Sequence, residues 1–159
     1  MSRVRSKNTK PELALRRELH ALGMRYRLHP KDVPGRPDIV VRSRKFAIFV
    51  DGDMWHGNPL EIERRGRASL ADLFPTRTDF WVAKIENNIA RDVTVTAELR
   101  SMGWTVIRVW ESDVLEDPSG VAASAFATYR LLDERPNANG QPGARSARSP
   151  AAPIGRRGP

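Results

Sequence analysis

At 159 residues, 40% of them apolar and 29% charged, the chain has material for one domain with a buried core and leaves no room for a second catalytic domain. It has no cysteine, which excludes disulfides and thiolate metal sites, and it has neither an apolar run able to span a bilayer nor a secretory signal, so a cytoplasmic, nucleoid-associated protein is expected. The net charge of +8 favours a polyanionic partner, nucleic acid above all, through release of counterions.

In chain order, a basic arm with Arg3, Arg5 and Lys7 precedes Thr9-Lys-Pro-Glu12, where a threonine followed three residues later by a glutamate forms a capping box and starts a helix. Leu15, Leu19 and Leu22 recur at helical spacing as its apolar stripe, Arg16, Arg17 and Glu18 take the polar side, and Gly23 ends it. Tyr26 to Leu28 reads as a short strand. Pro30 to Pro37, with three prolines and a glycine, forms a rigid approach to Asp38.

Two short apolar runs follow, Ile39 to Val41 and Phe46 to Val50, separated by Arg42-Ser-Arg-Lys45. That pattern predicts a β-hairpin with a polar turn. Asp38 enters its first strand and Asp51 leaves its second, so both lie at one end of an antiparallel pair whose strands are roughly 5 Å apart. Two carboxylates so placed can reach one hard cation. Beyond His56 and Gly57-Asn-Pro59, the charged stretch from Leu60 to Leu73 reads as irregular or partly helical.

Thr78 or Asp79 can cap a long helix running to about Met102, with Ile85, Ile89, Val93, Leu99 and Met102 on its buried side and Gly103 as its stop. Lys84, Asn88, Arg91 and Asp92 share another face. Trp104 to Trp110 alternates as a strand does, and Ser119 can cap a last helix over Val121 to Leu132. The domain therefore spans residues 1–133 in the order α, β-hairpin, α, β, α. Residues 134–159 turn to Pro, Gly, Ala, Ser and Arg without apolar periodicity and are expected to be a disordered basic tail, with five arginines against Glu134 alone.

Several segments carry a family resemblance: Arg3-Val-Arg-Ser-Lys-Asn-Thr-Lys-Pro-Glu12, Pro34-Gly-Arg-Pro-Asp38, Phe49-Val-Asp-Gly-Asp-Met-Trp-His56, Thr76-Arg-Thr-Asp-Phe-Trp81, Lys84-Ile-Glu-Asn-Asn88, Arg91-Asp92 and Gly103-Trp-Thr-Val-Ile-Arg-Val-Trp-Glu111. In this order, over roughly residues 2 to 115, they resemble the very short patch repair endonucleases. The resemblance implies an α/β fold of the restriction-endonuclease-like PD-(D/E)xK superfamily, with a central mixed β-sheet flanked by helices. It further implies magnesium-dependent nicking of DNA beside T:G mismatches, which arise when 5-methylcytosine deaminates.

Residue by residue, the resemblance makes Asp38 the central metal-binding aspartate and the backbone carbonyl of Val50 a further metal ligand. His56 matches the histidine that activates the attacking water and Asp92 its partner, roles that suit an imidazole whose tautomer a carboxylate holds. Asp51 falls where members carry either a second catalytic histidine or an aspartate, so it either binds metal or hydrogen-bonds the water at the phosphate. Glu12 matches an acidic residue near the metal waters, and its place in the capping box accounts for it equally well. Met54 and Trp55 correspond to two bulky residues that wedge into the duplex beside the mismatch, with core packing as the plain rival. Lys84, Asn88 and Arg91 are candidates for phosphate contacts, against the ordinary alternative of a solvated helix face.

The family's zinc-binding cysteines would fall at Asp53 and Ser112, with further ligands near Asn58. Structural zinc is therefore not expected, and the loop over residues 52–60 has to be held by hydrogen bonds and packing. The reading is a monomeric, Mg2+-dependent endonuclease acting on mismatched double-stranded DNA. The alternatives are a related nuclease of different DNA specificity, such as a restriction-type partner, and a catalytically inactive DNA-binding module.

Overall fold

The computed structural model of the chain describes residues 7–132. The tail expected from residue 134 onward, and Arg3 and Arg5 of the basic arm, lie outside the described residues.

Helix α1 (Lys10–Ala21) begins at the capping box: Thr9 accepts from the Glu12 amide and the Glu12 side chain returns to the Thr9 amide. Its end is set by Gly23, whose φ of +89° suits a residue without a β-carbon. Gly23 N–H donates to His20 and Met24 N–H to Leu19, closing the last turn in a Schellman motif. Leu15 and Leu19 are fully buried, whereas Leu22 is 42% exposed. Leu22 is the C-cap, where the chain has already begun to leave the helical path, so the expected three-leucine stripe stops at Leu19.

Strands β1 (Arg27–Leu28), β2 (Ile39–Val41), β3 (Phe46–Asp51) and β4 (Thr105–Trp110) form one mixed sheet in that order. The first two pairings are antiparallel and the last is parallel. The predicted hairpin is β2 and β3, in register Ile39 to Ile48 and Val41 to Phe46. Its turn is a single 3-10 turn over Arg42–Arg44, closed by Lys45 at φ +46°. Strand β3 is central and covered on both faces, which explains its unbroken apolar run. Phe46 and Ile48 join Leu15, Leu19, Val114 and Ala122 on one face, while Phe49 packs with Val33, Leu99 and Val106 on the other.

The parallel pair β3 and β4 requires a crossover, and α3 (Thr78–Ser101) supplies most of it. Before it come α2 (Pro59–Arg64) and a 3-10 turn over Ala71–Leu73, so the charged stretch is partly helical. Asn58 caps α2 through a 3.0 Å bond from Leu60 N–H.

Three expectations about the later helices are corrected. Neither Thr78 nor Asp79 caps α3: its N-cap is Arg77 at φ +53° without a side-chain bond, and the Thr78 hydroxyl donates back to Phe74 O at 2.6 Å. On the expected buried side only Ile85 and Leu99 are buried, while Ile89, Val93 and Met102 are 38%, 66% and 47% exposed. Ile89 and Val93 lie between the buried Ile85 and Leu99 along α3, but at about 100° per residue they are rotated roughly 40° and 80° from Ile85 while Leu99 is rotated about 40° the other way. Ile89 and Val93 instead border a groove of about 520 Å3 with Trp110.

The last helix, α5 (Pro118–Leu131), starts three residues before the expected Val121. Its cap is Asp117, which accepts from Gly120 N–H, and the Ser119 hydroxyl donates to Glu18. A short helix not anticipated, α4 (Glu111–Glu116), joins β4 to α5 and buries Val114 beside α1. Among the described residues, no helix is long and apolar enough to cross a membrane.

The end of the leucine stripe is testable by substitution. Leu19→Ala should lower the unfolding free energy by about 3 kcal/mol, the usual cost of a cavity at a packed leucine. Leu22→Ala should stay within about 0.5 kcal/mol of wild type. Urea titrations of both variants check this, and equal losses would return Leu22 to the core.

Candidate active site

The end of the hairpin is built by a constrained approach. Pro37 is fully buried. Gly35 sits at φ +70°, and a β-carbon there would lie 2.4 Å from Val95 Cγ1, so only glycine lets this turn press against α3 and deliver Asp38 to the start of β2. The Asp38 carboxylate crosses the hairpin and accepts from Val50 N–H at 2.8 Å through Oδ2. Its side chain thus meets the Val50 backbone, whose carbonyl the family resemblance implied as a ligand.

Asp38, Asp51, Glu12, His56, Asp92 and Arg108 all reach one cavity of about 610 Å3. Around it the side chains divide into two groups. Glu12, His29 and Asp38 form one, with potential ligand atoms all within 4.8 Å of one another. His29 bridges it, Nε2 lying 3.4 Å from Glu12 Oε2 and Nδ1 3.4 Å from Asp38 Oδ1. Glu12 combines both readings open for it: it completes the capping box and stands in this group, 97% buried and 2.6 Å from Arg16 Nη2. Burial, reinforced by the Glu12 and Asp51 carboxylates, pushes the Asp38 pKa up to about 6 against the bond from Val50. Burial lowers that of His29, against the pull of Glu12.

Asp51, His56 and Asp92 form the second group. Arg108 holds it together, donating from Nε and Nη2 to the two Asp51 oxygens at 2.7 Å each and placing Nη2 3.0 Å from Asp92 Oδ1. Burial works against the arginine's charge, but Asp51 and Asp92 outweigh it and keep its pKa raised. Asp92 Oδ2 lies 2.5 Å from His56 Nδ1, and Asp51 Oδ1 is farther away at 3.7 Å. A carboxylate only accepts, so the proton between His56 and Asp92 belongs to Nδ1, and in the neutral ring the lone pair is then on Nε2. Asp38 and Asp51 share the cavity as the hairpin predicts, but Asp51 is engaged by Arg108.

Either group offers the carboxylate and imidazole donors from which a metal ion could be held. Each group sets one arginine against two carboxylates, and they differ in how it is shared: Arg108 contacts both Asp51 and Asp92, whereas Arg16 pairs with Glu12 and Asp38 has no lysine or arginine at ion-pair distance among the described residues. A divalent cation fits the first group on that ground.

The loop carrying His56 is stapled at the three positions where the resemblance suggested lost zinc ligands. Asp53, 5% exposed, accepts from Asn58 Nδ2 and Ser112 Oγ on one oxygen and from Ser112 N–H on the other. Asn58 N–H returns to Asp53 O at 2.9 Å. Gly57 at φ +71° lies against Ile89, and a β-carbon there would be 2.6 Å from Ile89 Cδ1.

Met54 and Trp55 are half-buried beside this staple, not core residues. The Trp55 ring is 5.8 Å from Trp81, which stacks on Phe74 at 5.6 Å. Lys84 Nζ stands 5.5 and 5.1 Å from the Trp55 and Trp81 rings. Asn88 donates to Trp55 O at 3.0 Å, and Arg91 is exposed at the cavity wall. Sequence reasoning missed Arg108, His29 and Arg16 as parts of the site. For Arg108 the signal was a charge in the middle of an otherwise apolar strand.

The sequence profile of the family described as DNA mismatch endonuclease Vsr matches residues 1–61. The chain is 46% identical to the type II nicking enzyme V.XorIIP of Xanthomonas oryzae pv. oryzae, over 72% of this chain and 78% of that protein. Identity to the type II nicking enzyme V.NmeDIP of Neisseria meningitidis serogroup C is 44%, covering 82% and 83%. To the DNA mismatch endonuclease Vsr of Escherichia coli K12 it is 33%, covering 70% and 66%.

The raised Asp38 pKa has a consequence for folding. Between its ordinary value of 3.8 and about 6, the folded protein keeps a proton on Asp38 that the unfolded chain releases. The stability this contributes is complete below about pH 4 and is lost as pH rises through about 6, up to about 2 to 3 kcal/mol in all. In chelator, the difference in unfolding free energy between wild type and Asp38→Asn should therefore grow in favour of the variant from pH 4 to 7. Parallel pH curves for the two proteins would contradict the shift.

Proposed function

The chain belongs to the Vsr family of DNA endonucleases, and on that footing we propose that it nicks one strand of double-stranded DNA beside T:G mismatches, with Mg2+ as its cation. The observation that carries this reading is the unequal pairing within the site: Arg108 contacts both Asp51 and Asp92, whereas Asp38 has no lysine or arginine at ion-pair distance among the described residues.

Asp38 and Glu12, with the Val50 carbonyl, would hold the cation. When bound, it supplies the Lewis acidity that phosphodiester hydrolysis needs, polarising the phosphate and acidifying a water. Asp92 keeps the His56 proton on Nδ1, so Nε2 takes a proton from the attacking water as its oxygen bonds to phosphorus. The bond from phosphorus to the departing sugar oxygen breaks with its electron pair, and that oxygen is protonated from solvent. Asp51, with both oxygens turned to Arg108, serves in this account as the anchor that fixes Arg108 and through it Asp92.

Trp55, with Met54 beside it, is the wedge. A mismatched step is cheaper to unstack than a paired one, and an apolar side chain can occupy the opened step. Lys84 and Arg91 contact phosphates, and Asn88 fixes the Trp55 backbone. A second reading keeps the nuclease and changes its target. It is favoured by the names of the relatives with higher identity, which are type II nicking enzymes rather than mismatch endonucleases.

Duplexes identical but for one T:G or T:A pair, incubated with enzyme in Mg2+, separate the readings. The T:G duplex should be nicked in one strand and the matched duplex left largely intact. Equal cleavage of both would favour the second reading. In the same assay Asp38→Ala should lose cleavage by about three orders of magnitude or more while binding DNA at least as well as wild type, since a negative charge facing phosphate is removed. Cleavage near the wild-type rate would remove Asp38 from the site.

A further inference from the structure

We propose that His29 is a positioning residue of the cation pocket, presenting its single ring proton from Nδ1 to the Asp38 carboxylate because Arg16 occupies Nε2. The inference rests on the reading of Glu12 and Asp38 as cation ligands and extends it to two residues that reading leaves without a role.

A guanidinium has donors and no acceptor, and Arg16 Nη2 lies 2.9 Å from His29 Nε2. Glu12 Oε2 also lies near Nε2, at 3.4 Å, but Arg16 is the nearer neighbour, so Nε2 offers its lone pair and the proton of a neutral ring is left on Nδ1. Nδ1 is the nitrogen 3.4 Å from Asp38 Oδ1. The other Asp38 oxygen accepts from Val50 N–H at 2.8 Å, so each oxygen has its own neighbour and the rotation of the carboxylate is set.

Arg16 cannot easily swing away to change this. It is 7% exposed, and its two terminal nitrogens donate at 2.6 Å to Asn8 Oδ1 and Glu12 Oε2. One arginine thus orients a proposed ligand, Glu12, directly and the other, Asp38, through His29. The backbone adds an independent sign. His29 has φ +44°, a left-handed conformation costly for a residue with a β-carbon and concentrated where a side chain's position matters. Its N–H points to Asp38 O at 3.4 Å, beyond the paired residues of β1 and β2.

The backbone also selects the variants. His29→Gly tolerates positive φ and removes the ring. His29→Asn tolerates positive φ as well and returns an N–H donor near the position of Nδ1. Mn2+ titrated into the full chain, followed by the loss of free-ion electron paramagnetic resonance signal, reads cation affinity without catalysis. His29→Gly should bind Mn2+ about 10-fold or more weakly and nick DNA correspondingly slowly, with His29→Asn recovering most of both.

Wild-type Mn2+ affinity in a folded His29→Gly protein would overturn the inference alone. A wild-type chain that binds no Mn2+ would overturn the cation-pocket reading and this inference with it. Two-bond proton–nitrogen correlation spectra of the 15N-labelled wild-type protein test the tautomer without any substitution. The expected pattern has Nδ1 protonated and Nε2 bare, and a proton on Nε2 would overturn the proposal whatever the stability of the variants.

Discussion

Five carboxylates line one cavity, Glu111 at its wall and Glu12, Asp38, Asp51 and Asp92 in its two groups, and the fold has to keep them there against their repulsion. Two partly buried arginines do most of this. Arg16 lies against Glu12, and Arg108 spans Asp51 and Asp92. Charges taken out of water are tolerable only when paired with good geometry, and the two-pronged contact of Arg108 with Asp51 is of that kind. Asp38 is left without such a partner, and burial, reinforced by the Glu12 and Asp51 carboxylates, pushes its carboxyl up to about 6. The site is electrostatically incomplete at one place, and that place is where the hairpin delivers an aspartate.

The same pairing organises the other half of the cavity. Arg108 reaches Asp51 because β4 runs parallel to β3 in a register that sets Phe49 beside Arg108 and Asp51 beside Trp110. With Arg108 fixed, Asp92 is fixed on α3, and His56 is oriented from a loop that has no regular structure of its own. That loop is in turn held by Asp53, Asn58 and Ser112. Its rigidity comes from a buried carboxylate whose two oxygens accept three bonds, from Asn58 Nδ2, Ser112 Oγ and Ser112 N–H, the arrangement by which a buried polar group stays inexpensive. The imidazole tautomer that leaves Nε2 free is therefore a product of sheet register as much as of local sequence.

What could be read from the sequence follows the range of the forces involved. The capping box at Thr9, the stop at Gly23 and the hairpin around Arg42 to Lys45 depend on neighbours a few residues apart, and each is present. The resemblance brought Asp38, His56 and Asp92 together. By contrast, Arg108 meets Asp51 across 57 positions and Arg16 meets His29 across 13, and nothing local marks either pairing. Periodicity misled on α3. Ile89 and Val93 satisfy a helical apolar pattern, but they border a groove rather than the core, because both are rotated to one side of the face that buries Ile85 and Leu99. The caps of α3 and α5 were misassigned for a related reason: Thr78 and Ser119 have suitable side chains, but Arg77 and Asp117 occupy the residues where the chain turns.

The central claim is that Asp38, and not Asp51, is the carboxylate left for a cation. Mn2+ binding to the folded Asp38→Asn and Asp51→Asn proteins, measured by calorimetric titration beside wild type, tests it most directly. The account predicts that Asp38→Asn loses measurable binding while Asp51→Asn keeps an affinity within a few-fold of wild type. Loss of binding in Asp51→Asn with retention in Asp38→Asn would contradict it.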